Sequence, residues 1–357
     1  MIEFLFEYGL FAAKLSTFVV AILIVIVASV ATTRRVRKSM KGHIETIKVN
    51  DELEAMRTAL DAGVSDPDTF KQHFKLKQKE KKLERKARKK SLKKVGSDKE
   101  TDAEQKPRVF ILDFKGDLRA LAVARLRKEI TAVLSMARVS DEVVVRLESH
   151  GGMVHAYGLA SSQLQRIKDN GVGLTVCVDK IAASGGYMMA CVANKILAAP
   201  FAILGSIGVI AQLPNFNRLL KKHDIDFEMI TAGEYKRTLT ILGENTDKGR
   251  EKFTEEIEDL HLLFKEFVIQ HRPGLDIEQV ATGESWFGQR ALDRALVDEL
   301  ITSDQYIVNA CETADVFEVR YVEKKPLPER LGIVVQDTAD GLLMRWWERG
   351  AFSRFFS

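Results

Sequence analysis

Three short glycine-bearing segments hold the residues best suited to chemistry: Ser149-His150-Gly151-Gly152, Ala183-Ser184-Gly185-Gly186-Tyr187 and Gly205-Ser206-Ile207-Gly208. Each borders a stretch that reads as a β-strand, and loops at the carboxyl ends of strands in an α/β sheet converge on one crevice. Ser184 follows the predicted strand 174–178 and opens a predicted helix over 185–193. Unpaired N–H groups at a helix start favour developing negative charge, which suits a nucleophile. A tetrahedral intermediate needs two donors aimed at its oxyanion. The N–H of Gly185 and one from the Gly151-Gly152 turn could supply them, because glycine lets backbone approach a substrate with no Cβ in the way. The same residues also fit a plain N-cap serine beside tight-turn glycines.

A serine hydroxyl is inert without a base. Of seven histidines, His43 and His73 fall in a charged connector, and His223, His261 and His271 sit in helical, charged surroundings. His150 and His155 lie near a glycine turn, yet no acidic residue in the neighbouring motifs orients either as a triad requires. A lysine serves instead if its ammonium is desolvated. Its pKa must fall from about 10.4 to about 7–8, a shift near three units or roughly 4 kcal/mol against the charged form. Lys236 is the candidate, placed after the predicted strand 227–230 within Thr231-Ala232-Gly233-Glu234-Tyr235-Lys236. By residue type alone it reads as a solvated loop lysine.

These loops need a scaffold. Beyond Pro107 short β-branched runs alternate with helical stretches: strands at 109–114, 143–147, 174–178, 195–199 and 227–230, helices at 120–137 and 154–169. Alternation of this kind predicts an α/β fold, a parallel or mixed sheet with helices packed on it. A helix at 247–271 carries Phe253, Ile257, Leu260, Leu263, Phe264 and Phe267 at helical spacing and stops before Pro273, as a packing element would.

The 357 residues carry 54 Lys+Arg against 50 Asp+Glu, a formal net charge of +4. Between Lys71 and Lys94 thirteen basic residues oppose Glu80 and Glu84, so that segment alone is +11 and the remainder is −7. The basicity is local, which argues against nucleic-acid binding by the core. It marks residues 34–107 as a charged, helical connector with a possible attraction to anionic lipid. Ahead of it, residues 15–31 carry no charge and 8–13 extend the apolar run, so residues 8–31 read as a membrane span that contacts lipid. Glu3 and Glu7 with no preceding basic residue argue against a cleaved signal peptide. Arg34, Arg35, Arg37, Lys38 and Lys41 follow the span, which by the positive-inside rule places the rest of the chain in the cytoplasm. Three cysteines, Cys177, Cys191 and Cys311, offer neither a CxxC pair nor metal-ligand spacing with histidine; no metal and no cofactor is called for. The stretch 341–356, rich in Trp, Phe and Arg, reads as an interfacial helix or an oligomer contact.

Taken together, Ser149 to Gly152, Ala183 to Tyr187, Gly205 to Gly208 and Gly233-Glu234-Tyr235-Lys236 resemble the signal peptide peptidase A family of serine proteases, peptidase family S49. Thr282-Gly283-Glu284-Ser285-Trp286-Phe287-Gly288 and Ala295-Leu296-Val297-Asp298 match a downstream family segment. The anchor and charged connector resemble its half-length, membrane-bound members. The resemblance implies a ClpP/crotonase-type core over 108–325, behind an anchor at 1–33 and before an amphipathic tail at 326–357. It implies a Ser-Lys dyad of Ser184 and Lys236, with Ser206 holding the lysine amine and Gly151, Gly152 and Gly185 forming the oxyanion hole. His150 departs from the family's usual proline or arginine. The resemblance also implies a homo-oligomeric ring whose dyad can span neighbouring protomers, and peptide or protein substrates such as signal-peptide remnants or misfolded envelope proteins. It further implies a bacterial inner-membrane location with the catalytic part in the periplasm, opposite to the flanking charges. Two other readings stay open: a catalytically silent membrane scaffold of the same fold, and a crotonase-like acyl-CoA enzyme.

Overall fold

The computed structural model describes residues 42–66, individual positions between 68 and 86, and residues 106–323. The expected membrane span at 8–31, most of the basic connector and the tail from 326 lie outside the described residues. Among the described residues no helix is long and apolar enough to cross a membrane. Residues 45–320 form one compact unit.

The chain forms β1 (His43–Lys48), α1 (Val49–Val64), β2 (Arg108–Gly116), α2 (Val123–Leu134), β3 (Glu142–Ser149), α3 (Val154–Asp169), β4 (Gly173–Val178), β5 (Ile181–Ala183) and α4 (Gly185–Ala190). It continues through β6 (Lys195–Ala198), β7 (Ile203–Gly205), α5 (Asn217–Lys222), α6 (Asp247–His271), α7 (Ile277–Val280), β8 (Ser285–Phe287), α8 (Gly288–Asp293), β9 (Glu299–Leu300), α9 (Ser303–Thr313) and β10 (Asp315–Val322). The strand order is β1-β10-β2-β3-β4-β6-β9, parallel from β10 to β9. This is the α/β architecture that the alternating pattern predicts.

Strands β2 and β3 read as near-continuous apolar runs because both of their faces are covered, as parallel strands require. Phe110, Leu112, Phe114, Val143, Val145 and Leu147 pack with Leu126, Ile130, Tyr157, Leu164 and Ile167 of α2 and α3. Val109, Ile111 and Val144 point the other way, against Ile307 of α9. Truncating a wholly buried side chain such as Leu112 to alanine would cost about 2–5 kcal/mol.

The sheet forks at the end of β3. Its body pairs with β4, but its last residue, Ser149, is in register with Ala182 of β5. β5 pairs in parallel with β7, and β7 pairs antiparallel with β8. This small side layer carries the serine loops.

Three sequence expectations need amending. Residues 227–230 form no strand: Phe227, Met229 and Ile230 are exposed in an irregular arm running from about 209 to 246. In α6 Phe264 and Val268 are buried, Phe267 packs against the core and Phe253, Ile257 and Leu260 are half-buried, but Leu263 of the expected stripe is exposed. Within the expected connector, β1 and α1 are ordered against β10 by a polar clasp. Asn50 Nδ2 donates to the carbonyls of Cys311 and Ala314 at 3.1 and 3.0 Å, and its Oδ1 accepts the Val316 N–H at 2.8 Å.

Candidate active site

Ser184 sits at the elbow between β5 and α4 with φ 52° and ψ −118°, an angle pair that L-residues rarely adopt. Its N–H donates to the Gly205 carbonyl at 2.8 Å, and its carbonyl accepts the Met188 N–H at 2.9 Å. The backbone is thus held on both sides in a strained turn, while Oγ has no hydrogen-bond partner among the described residues and is partly exposed. Ser184 is the N-cap of α4 by position, but its side chain makes no cap hydrogen bond.

Gly151 faces it. Its φ is +86°, and a Cβ there would lie 2.7 Å from the Gly185 nitrogen, 2.8 Å from the Ala183 oxygen and 2.8 Å from Ser184 Cβ. Glycine is therefore required twice over, by its backbone angle and by the close approach of the turn to the elbow. The Gly151 N–H is already committed, donating to Ser149 Oγ at 3.0 Å. That leaves the partly exposed Gly152 as the turn's unpaired N–H among the described residues.

Ser206 lies beside Ser184 because Ala183 and Gly205, the residues before each, are in register across β5 and β7. Its φ is also positive, 51°. The downstream segment 282–288 fixes this geometry: the Ser206 N–H donates to the Glu284 carbonyl at 2.6 Å, the Gly283 N–H to the Ile207 carbonyl at 3.1 Å, and Gly205 packs against the Trp286 ring.

Lys236 is not brought to this cluster. It is exposed in the irregular arm, with its backbone N–H donating to the Gly233 carbonyl at 3.2 Å. Its ammonium has no hydrogen bond or ion pair among the described residues, Ser184 included. Its neighbours tie the arm to α6: Glu234 pairs with Lys248 at 2.6 Å, and Lys252 lies over the Tyr235 ring at 5.4 Å. Exposed Ile210, Phe216, Leu219, Ile225, Phe227 and Ile230 give the arm an uncovered apolar surface.

Sequence reasoning missed Tyr157. Fully buried on α3, its ring meets Phe114 edge-on at 6.4 Å and lies under Gly185, where a Cβ would come within 2.5 Å of the ring. Its hydroxyl donates to the Asp117 carbonyl at 2.8 Å and lies 2.5 Å from Ser149 Oγ. Burial pushes the phenol above its ordinary pKa, so it stays protonated. The only sequence signal was a tyrosine on the apolar face of the predicted helix 154–169.

A parallel α/β sheet with strained serines and a glycine turn gathered at its strand ends has the layout of an enzyme acting in a crevice. Family models agree: the one described as "Peptidase family S49 N-terminal" matches residues 3–164, and "Peptidase family S49" matches 166–317. The chain belongs to peptidase family S49 and is a SohB-like peptidase. It is 49% identical over 345 residues to "Probable protease SohB" of Haemophilus influenzae, covering 96% of each chain. It is 40% identical over 355 residues to "Putative protease SohB" of Buchnera aphidicola subsp. Baizongia pistaciae, covering 98% of this chain and 100% of the relative. Among solved structures, a "1510-N membrane-bound stomatin-specific protease" mutant aligns with 14% identity and a TM-score of 0.39, over 57% of this chain and 84% of that one.

Proposed function

We propose that this peptidase is a membrane-anchored serine endopeptidase with a ClpP/crotonase-type core, in which Ser184 attacks the peptide carbonyl and Lys236 of a neighbouring copy is the base. The observation that carries the reading is the Ser184 elbow: a strained, backbone-clamped serine, its hydroxyl free among the described residues, closely approached by the Gly151 turn.

In this scheme the Lys236 amine takes the Ser184 proton as Oγ bonds to the carbonyl carbon. The N–H groups of Gly152 and Gly185 hold the oxyanion, and Ser206 Oγ steadies the amine. The lysine returns the proton to the leaving amine, and water then releases the acyl-enzyme. The base must be unprotonated near neutrality, and exposed as it is here Lys236 has nothing to desolvate it. A second copy docked over the arm's apolar surface would supply that burial and bring the amine to a serine at once, which supports a ring in which each site uses two chains.

Extended peptides are the substrates, with signal-peptide remnants and misfolded envelope proteins as the class. Residues 8–31 anchor the chain in the bacterial inner membrane, with the peptidase part in the periplasm. Protease accessibility of a C-terminal tag on spheroplasts tests that side.

The decisive experiment pairs Ser184→Ala with Lys236→Met in the full chain. Each variant alone should lose peptide hydrolysis, and Ser184→Ala should lose fluorophosphonate labelling. Co-assembled mixtures should regain part of the activity, because some junctions join an intact serine to an intact lysine. Full activity of Lys236→Met would overturn the dyad. The exposed, unpartnered Lys236 also motivates a second reading, an inert scaffold, which requires that an assembled wild-type ring be unreactive to the probe.

A further inference from the structure

One side chain meets Gly185 directly and reaches the Gly151-Gly152 turn through Ser149. The Tyr157 hydroxyl has a single proton, and it goes to the Asp117 carbonyl at 2.8 Å. The 2.5 Å contact with Ser149 must therefore run from Ser149 Oγ–H to the tyrosine oxygen. Ser149 Oγ in turn accepts the Gly151 N–H at 3.0 Å. The result is a one-directional chain: Gly151 N–H to Ser149 hydroxyl, to Tyr157 hydroxyl, to Asp117 carbonyl. The two steps through Ser149 are shut off from solvent, Ser149 being 1% and Tyr157 0% exposed, while the last, to the Asp117 carbonyl, is part-buried. A buried chain with every proton assigned permits one arrangement of its members.

The chain's upper end is the turn that carries Gly152, and the Met153 N–H anchors the far side of that turn to the Leu118 carbonyl at 2.9 Å. Meanwhile the tyrosine ring is the floor on which Gly185 rests. Tyr157 thus sets the height of one donor through its ring and the tilt of the other through its hydroxyl.

We propose that Tyr157, acting through Ser149, is a positioning residue for the oxyanion hole. The inference rests on the reading of Ser184 as nucleophile. It adds that the two glycine donors are held in mutual register by one buried phenol.

The test uses Tyr157→Phe, Ser149→Ala and the double variant in the full, assembled chain. Phenylalanine keeps the floor under Gly185 and removes only the hydroxyl. For a peptide substrate, kcat should fall about ten- to a hundredfold, less than the roughly hundred- to thousandfold typical of deleting a donor outright. KM should stay within about threefold, because the hole acts on the transition state. Phosphonylation of Ser184 by a fluorophosphonate should slow in parallel with kcat. The double variant should be no slower than the slower single, because the chain works as a unit. Variants that melt earlier but turn over at the wild-type rate well below melting would overturn the proposal, leaving Tyr157 a packing residue. Losses that multiply in the double variant, or that fall on KM alone, would overturn it too. Failure of the underlying reading has a separate signature: wild-type chain that hydrolyses peptide yet is not labelled at Ser184, with Ser184→Ala still active.

Discussion

The approach of the Gly151 turn to the Ser184 elbow can be tested by adding a single methyl group. In Gly151→Ala the new Cβ would meet the Gly185 nitrogen at 2.7 Å and both the Ala183 oxygen and Ser184 Cβ at 2.8 Å, all shorter than carbon tolerates. A φ of +86° adds about 1–2 kcal/mol for an L-residue. Relieving the contacts by moving the turn adds about 1–3 kcal/mol, the usual cost of overpacking. The sum, about 2–5 kcal/mol, would lower the melting temperature by several degrees at roughly 2–4 °C per kcal/mol for a unit of this size. Two of the three clashing atoms belong to the elbow, so the relaxation must shift Ser184 or the Gly185 N–H. Fluorophosphonate labelling should then fall by more than the loss of folded protein explains. Gly158→Ala is the control, since Gly158 lies in α3 with nothing within 4 Å of a Cβ and should gain about 0.5–1 kcal/mol. Paired melting curves and labelling rates decide the matter. A Gly151→Ala chain with wild-type stability and wild-type labelling would refute the claim that this contact shapes the site.

Ile230 is 96% exposed, so Ile230→Asp should leave the melting of an isolated chain within about 0.5 kcal/mol while shrinking the assembly in light scattering, with activity falling alongside. Burial alone would raise the Asp141 carboxyl, but the Arg108 guanidinium and the N–H groups of Arg138 and Arg108 bond its charged form and hold it below the ordinary range. Its folded pKa lies below its unfolded one, so its stabilisation is present above about pH 4 and lost as pH falls through the folded value. Urea midpoints of wild type should therefore drop below pH 4 more steeply than those of Asp141→Asn. Burial pushes the Cys177 and Cys191 thiols up to about 12, so iodoacetamide at pH 8 should leave both unmodified in the native chain and modify all three cysteines in urea.

The elements legible in the sequence are those whose burial is local. Helices at 154–169 and 247–271 have the bounds that their spacing predicts, and each core strand lies within one or two residues of its apolar run. The meeting of the Ser184, Gly151 and Ser206 loops was legible too, since parallel strands deliver their carboxyl ends to one edge. Residues 227–230 misled because Phe227, Met229 and Ile230 have the composition of a strand but stay exposed in the arm and pair with no other strand among the described residues. The clasp at Asn50 escaped notice because α1 is docked by an amide and the half-buried Val49 rather than by a buried apolar stripe. The Ser149–Tyr157 contact depends on the register of β3 against α3, which no spacing rule supplies.

The forked sheet also bears on the order in which the Ser184 turn can be completed. Ser184 leans on the Gly205 carbonyl, and Ser206 after Gly205 leans in turn on Glu284 and β8, about 80 residues further along. During synthesis the main sheet can zip up strand by strand, but the Ser184 turn lacks its last brace until that distant antiparallel partner has left the ribosome. If Ser184 is the nucleophile proposed above, a half-made chain therefore lacks a finished site until its backbone is threaded past that point.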